Sequence, residues 1–279
     1  METWFWILGW SLSILTMVGN GFIIFLVCSK RQLRTKTNAF VVSLAVADFC
    51  VGVSVVPTMF FCEMATGCTG QWTITWLRIL FSYSSAINLC SLVVDRYIAV
   101  VKPLIYLTFM TRRRVIQMVS LSWAIQVAVR MVHILNDSLL KNPLLVRILL
   151  WIDVVFCELV PCLILIFCFL SMLHVVCRYK RAAQTTAKQL RFNHRVSFET
   201  KEKSAVKMMA VVIGLFLLCY GFYIRCSLIN LKGRKCNDDE YKIPLLLLNS
   251  AINPVAYAFF KRDIKKEIKR RISCAIREE

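Results

Sequence analysis

The sequence predicts an all-α membrane protein, a seven-transmembrane helix bundle with a short amphipathic eighth helix. Three observations carry that prediction. Of 279 residues, 58% are hydrophobic and 18% charged, and the mean hydropathy is +0.63, a balance that suits lipid better than water. Apolar runs of the roughly 20 residues a helix needs to cross the hydrocarbon core recur seven times. These runs lack period-2 alternation and exceed the roughly 10 residues of a barrel strand, so helices are what satisfies their backbone in lipid.

The spans are expected at about 4–28, 39–61, 72–101, 115–135, 147–177, 204–229 and 243–260, within a single domain covering 1–279. The first is too long, and too poor in basic residues ahead of it, for a cleavable signal peptide, so it reads as a signal anchor. The second holds Leu44-Ala45-Val46-Ala47-Asp48. The third begins around Trp76-Leu77-Arg78-Ile79-Leu80-Phe81 and ends in Asp95-Arg96-Tyr97. Arg130 and His133 lie in the fourth, Asp153 and Glu158 in the fifth, and Asn249, Ser250 and Asn253 in the seventh. Outer loops over about 62–71, 136–146 and 230–242 are too short for a ligand-binding ectodomain. After the last span, Ile264, Ile268 and Ile272 recur every four residues among bases, so 261–273 reads as an amphipathic helix on an anionic leaflet.

The formal charge of +19 is unevenly placed: nine Lys/Arg fall in 178–207, eight after residue 260, and four each in 29–37 and 102–114. If the spans alternate, all four segments share one side. The positive-inside rule then puts the N-terminus outside and the tail in the cytoplasm. Solvation and topology account for the charge without nucleic acid.

Thirteen cysteines and three histidines form no CxxC pair or histidine cluster, and no GxSxG, HExxH or P-loop is present. A catalytic reading has no constellation to rest on. Cys62 with Cys68, and Cys226 with Cys236, are candidates for disulfides at the oxidising face. Asn136-Asp137-Ser138 is a glycosylation sequon in an outer loop, and Cys274 in the basic tail is a candidate for palmitoylation.

Ionisable groups inside a span are costly and mark function unless they face protein or water. Arg96 follows Arg78 by 18 residues, five turns of 3.6, so the two mark opposite ends of one seam about 27 Å long. Ser82 and Ser85 lie on that stripe. An aligned polar set of this kind describes a water-accessible interior.

Gly19-Asn20, Leu44-Ala45-Val46-Ala47-Asp48, Asp95-Arg96-Tyr97 with Pro103-Leu104, Trp123, Pro161 and Asn253-Pro254-Val255-Ala256-Tyr257 stand in an order that resembles the rhodopsin-like (class A) G-protein-coupled receptors. Within that class the serine-rich third span reads most like amine and trace-amine receptors. The resemblance implies an activation switch built from Asp95, Arg96, Tyr97, Glu202, Phe216, Tyr220, Asn253, Pro254 and Tyr257, with Glu202 as ionic-lock partner of Arg96. It also implies a sodium site at Asp48, Ser85, Asn249, Ser250 and Asn253, a carboxylate among neutral oxygens, which suits a small hard cation. A protonated Asp48 bonded to the asparagines is the alternative. No other cofactor is implied.

Departures from the family pattern are informative. In Phe216-Leu217-Leu218-Cys219-Tyr220-Gly221-Phe222, Tyr220 replaces the usual tryptophan and Phe222 the usual proline, so the sixth helix loses its obligatory kink. The usual disulfide between the third helix and the second outer loop has no cysteine on either side. Arg78 stands where amine receptors present an acid, which disfavours an ammonium there and suits a carboxylate, phosphate or sulfate. The outer-half ligand set implied is Arg78, Ser82, Asp153, Cys157, Tyr220 and Tyr223, with Arg78 and Asp153 either anchoring a ligand or pairing with each other, or Arg78 snorkelling toward the mouth. Arg130 is expected to balance Glu158.

The expected function is transduction of an extracellular small molecule, acidic, zwitterionic or amine, to a heterotrimeric G protein in the plasma membrane. A non-signalling decoy or constitutively active relative is the alternative, and a transporter is disfavoured for want of inverted repeats. Membrane lipid is a further partner; nucleic acid is not.

Overall fold

The computed structural model describes residues 3–64, 71–187, 196–234, 236 and 239–278, with backbone alone for 71–73, 179–187, 196–205, 239–240, 272 and 274–278. Among these residues there is no strand, and seven helices are long and apolar enough to cross a membrane. The first is Thr3–Ser29. The second runs Lys36–Ser54 and resumes as Val56–Met64, the break falling just before Pro57, which has no N–H to continue the ladder. The third is Gln71–Val101. The fourth, Arg112–Leu135, ends in a π turn, Asn136–Leu140.

The fifth is assembled from Pro143–Ile152, a π turn Asp153–Leu159, and Val160–Ala187. The sixth, Val196–Leu231, passes through Phe216-Phe222 without interruption. Gly221 therefore permits a bend but imposes none. The seventh is Asp239–Phe260 and the eighth Arg262–Glu278. Short helical pieces, Arg31–Leu33 and Pro103–Phe109, fill the connections from the first helix to the second and from the third to the fourth.

Local chemistry sets the ends. Thr35 and Thr111 accept from the backbone N–H of Asn38 and Arg114 at 3.2 and 3.3 Å, capping the second and fourth helices. Asn142 accepts from the N–H of Leu144 and Leu145 at 3.0 and 3.3 Å, with Pro143 opening the helix behind it. Lys141 takes a left-handed φ of 49° to make the reversal.

The second outer connection thus shrinks from the expected 136–146 to the two residues between Leu140 and Pro143. Asn136 tethers it, its Oδ1 accepting from the N–H of Asn142 at 3.2 Å. That side chain is buried, so the sequon asparagine is turned into the turn in this conformation.

The first helix packs on the second and seventh, the seventh on the sixth, and the third crosses the middle against the second, fourth and fifth. Close approach depends on small residues. A Cβ on Gly52 would come 2.9 Å from Met17 Cγ and 3.2 Å from the Ser13 carbonyl, and Ser13 Oγ donates to the Gly52 carbonyl at 2.5 Å. Asn20 donates to the Ser250 carbonyl at 3.2 Å, which fixes the first helix on the seventh. Ile7, Val18, Phe25, Leu163 and Phe167 remain exposed on the outside, the face a lipid-embedded bundle presents. Ile264 of the eighth helix is buried against the bundle and Ile268 packs beside it.

Cys226 and Cys236 form a disulfide across the end of the sixth helix. Cys62 is disulfide-bonded as well; Cys68 lies outside the described residues, as do the side chains of Glu202 and Cys274.

Candidate functional site

Three polar layers stack along the third helix. In the outer layer Arg78 donates from Nε to Thr58 Oγ1 at 3.1 Å. Ser82, expected to face a ligand, gives its hydroxyl hydrogen to the Arg78 carbonyl at 2.7 Å. Asp153 does not pair with Arg78: it holds Arg130 Nη2 and lies 3.1 Å from His133 Nε2. The Arg130 guanidinium also stands 5.6 Å from the Trp76 ring and 5.5 Å from the Tyr83 ring, and Trp76 packs on His133 at 4.7 Å. Arg130, His133 and Asp153 are buried, and Arg130 and Asp153 offset each other's charge.

Arg130 therefore does not balance Glu158, contrary to expectation. Glu158 Oε1 accepts from Tyr83 Oη at 2.8 Å and Ser227 Oγ at 3.0 Å. Its other oxygen, Oε2, is buried and has no hydrogen-bond partner among the described residues. Tyr223 meets Tyr83 edge to face at 6.4 Å, with the Lys242 ammonium 5.4 Å from the Tyr223 ring. The π turn produces this arrangement. It carries i→i+5 bonding, so Asp153 and Glu158, five apart, both reach the interior, with buried Cys157 between them in contact with Gln126 Nε2 at 3.5 Å.

Tyr220 forms the floor. Its ring stacks on Phe216 at 4.0 Å, and its hydroxyl donates to the Ser82 carbonyl at 3.3 Å. A tryptophan could not reproduce that geometry, because its lone donor sits on the indole rather than at the tip of the ring.

In the middle layer the structure brings Ser85, Ser250 and Asn253 of the expected sodium site to the Asp48 carboxylate. Ser85 Oγ donates to Asp48 Oδ1 at 2.5 Å and Asn253 Nδ2 to Asp48 Oδ2 at 2.8 Å. Asn253 Oδ1 and Tyr257 Oη are buried there without a partner among the described residues, and Asn249 Oδ1, four residues before Asn253 on the same helix, is likewise buried and unpartnered. A carboxylate beside orphaned neutral oxygens fits a small hard cation. Among the described residues no group of three His, Cys, Asp or Glu could hold a transition metal.

The inner layer centres on Asp95. Arg96 approaches Asp95 Oδ2 at 2.6 Å from Nη2 and 3.0 Å from Nε. Tyr106 Oη donates to Asp95 Oδ1 at 3.1 Å, and Thr37 Oγ1 to Oδ2 at 3.2 Å. Arg96 Nη2 also donates to Thr37 Oγ1. Lys261, between the seventh and eighth helices, donates to Asn38 Oδ1. Burial, reinforced by the Arg96 charge, holds the Lys261 amine down to about 7, and burial lifts the Tyr106 phenol above its usual range. Tyr97 takes no part in these bonds; its ring packs 5.9 Å from Phe167.

The description "7 transmembrane receptor (rhodopsin family)" matches residues 19–257. The chain belongs to that family. The receptor is 29% identical over 318 residues to the octopamine receptor beta-2R of Chilo suppressalis, covering 94% of this chain and 78% of the relative. It is 28% identical to the histamine H2 receptor of Canis lupus familiaris, covering 94% and 77%, and 26% identical to trace amine-associated receptor 5 of Mus musculus, covering 92% and 81%. Squid rhodopsin shares the fold, with a TM-score of 0.78 at 17% identity over 98% of this chain and 85% of that one.

Sequence reasoning did not place Thr37, Thr58, Tyr83, Tyr106, Ser227 or Lys261 in the receptor's polar layers. Their partners lie 11 to 223 residues away in sequence, and each is an unremarkable residue type in its local sequence. The one available signal was Glu158, an acid inside an apolar span with no acid-balancing base at helical spacing on its own helix.

Proposed function

We propose that the receptor transduces the binding of an extracellular small molecule to a heterotrimeric G protein, with the N-terminus outside, the basic loops in the cytoplasm and the plasma membrane as its site. The observation that carries this reading is that one helix, Gln71–Val101, contributes to all three layers: Arg78, Ser82 and Tyr83 above, Ser85 in the middle, Asp95 and Arg96 below. A ligand that favours one arrangement at the top then biases the arrangement at the bottom through its differential affinity.

The ligand carries a cationic group that meets Glu158 and a hydrogen-bond acceptor or anion that meets Arg78. Among the buried acids of the outer layer Asp153 is already paired with Arg130 and lies beside His133, whereas Glu158 keeps one oxygen without a hydrogen bond. Tyr83 and Tyr223 give that corner aromatic walls suited to a cation, and Lys242 beside it is displaced or shared. Relatives named for octopamine, histamine and trace amines support an amine-bearing ligand; the arginine on the third helix argues for a second, acceptor-bearing end. The middle layer binds sodium, with Asp48, Ser85, Asn249, Ser250 and Asn253 as its oxygens.

The test is a panel of biogenic amines, amino acids and their decarboxylated products against full-length receptor with biosensors for each G-protein class. Coupling in any class, basal or ligand-driven, supports transduction; its absence from every class, with the receptor at the cell surface, overturns it.

A further inference from the structure

Lys261 stands where the seventh helix passes into the eighth, between Phe260 and Arg262. Its backbone is fixed on both sides: its N–H donates to the Tyr257 carbonyl at 2.9 Å, and its carbonyl accepts from the Lys265 N–H at 2.9 Å. The amine is thus tied to the turn that carries Tyr257. It donates to Asn38 Oδ1 on the second helix, and Asn38 is itself held, its Nδ2 donating to the Leu33 carbonyl at 2.6 Å. One residue before Asn38, Thr37 accepts from Arg96 and donates to Asp95.

Two bases therefore converge on adjacent residues of the second helix, and one of them holds the acid. Arg96 takes the Asp95 carboxylate, whereas Lys261 makes no ion pair among the described residues. The charged groups that act on its amine are Arg96 and Asp95 of the third helix and Asp263 of the eighth. The second helix presents the neutral Thr37 and Asn38, and Tyr106, in the connection after the third helix, gives its hydroxyl to Asp95. Holding Asn38 takes one donor, which a neutral amine still supplies. A second positive charge beside Arg96 is not needed for that bond and opposes the arrangement. A guanidinium keeps its proton throughout the cytosolic range, so of the two bases it is the amine that can yield.

Given the transduction reading above, on which this inference rests, we propose that Lys261 is a positioning residue of the inner layer whose protonation from the cytosol favours release of Arg96 from Thr37 and Asp95. With the amine neutral, Arg96 stays on both partners. With it charged the two cations repel, and departure of Arg96 relieves that repulsion and leaves Asp95 free to attract the ammonium. The proton therefore binds the open arrangement more tightly than the closed one and shifts the population toward it. Burial, followed by the Arg96 charge, brings the amine to about 7 in the closed arrangement, and the residue is half-buried, within reach of water. An amine that regains its ordinary 10.5 on opening raises the open-to-closed ratio about three-fold as pH falls from about 7.5 to about 6.5.

The test uses full-length receptor in phosphatidylcholine nanodiscs, without ligand or G protein. A trifluoromethyl tag is placed on Cys177, exposed toward the inner end of the fifth helix, with Cys28 and Cys274 replaced by serine. Fluorine NMR then reads the closed and open populations. Wild type should show the about three-fold rise over that pH range. Lys261→Met should stay closed at both ends of it, and Lys261→Arg, whose charge is permanent, should be more open than wild type and equally so at both. Replacing His174 and His194 by glutamine removes two histidines, the residue type that ordinarily titrates in this range, and should leave the slope intact. No slope in wild type, a slope that persists in either Lys261 variant, or a slope lost with the two histidines would overturn the proposal. Because the opening is read without a G protein, a receptor that opens on acidification yet drives no G-protein class overturns transduction and supports this role of Lys261.

Discussion

Asp153 and Glu158 are five residues apart on the fifth helix and both point inward. An ordinary α-helix would set them about 140° apart; the i→i+5 bonding of the π turn reduces that difference. Their surroundings then separate their roles, since Asp153 holds Arg130 and His133 while Glu158 holds two hydroxyls and keeps one oxygen unbonded.

Glu158→Gln keeps the size of the side chain and removes its charge. If a ligand cation meets that carboxylate, potency falls by about 30-fold or more, the lower end of the 2–5 kcal/mol lost when a buried charge loses its partner. Basal coupling should persist. Concentration-response curves with the ligand found in the panel decide it, and equal potency in the variant would refute the cation-anchor role. Arg78→Ala should weaken only ligands that carry an acceptor or anion at the far end.

Breaking one side of the Arg130 and Asp153 pair leaves an uncompensated buried charge. Arg130→Met and Asp153→Asn are each expected to destabilise the receptor by about 3–5 kcal/mol, and the double variant by much less than their sum. Thermal unfolding in detergent, read as a double-mutant cycle, measures this coupling. Additive losses would mean that the two side chains do not act as a pair.

Replacing sodium by a bulky organic cation should raise basal coupling and lower the melting temperature of the wild type, because the ion stabilises only the state that binds it. Asp48→Asn should remove that sodium dependence. Persistence of the same dependence in the variant would place the ion elsewhere.

Lys261 gives a pH dependence of defined sign. Its folded-state value of about 7 lies below its ordinary 10.5, so between those values the unfolded chain binds more protons than the folded one. Its contribution to stability is present above 10.5 and is lost as pH falls through about 7. Wild type should therefore melt lower at pH 6 than at about pH 9, and Lys261→Met should flatten that difference.

The sixth helix carries Gly221 where nothing lies within 4 Å of a substituted Cβ. Gly221→Ala is expected to stiffen the helix by about 1 kcal/mol, raising the melting temperature and lowering ligand-driven coupling if the helix bends there on activation. A stabilised variant that couples normally would move the pivot away from Gly221. Gly52→Val has the opposite effect on stability, since its side chain would meet Met17 and the Ser13 carbonyl; a loss of about 1–3 kcal/mol is expected.

The sequence by itself determined the seven helices, because span length and apolar composition are local properties that lipid makes decisive. Helical repeat alone aligned Arg78 with Arg96 on one seam, and motif order alone assembled Asp48, Ser85 and Asn253, which the bundle brings within hydrogen-bond distance. Only the tertiary structure decided which charges neutralise one another. Arg130 takes Asp153 rather than Glu158, Arg78 takes Thr58 rather than Asp153, and Asp95 gathers Thr37 and Tyr106 besides Arg96. Those choices depend on helix rotation and on the extra residue of a π turn. A shift of one residue in the fifth helix turns its side chains by about 100°, and no periodicity in the sequence shows where such a turn will insert itself.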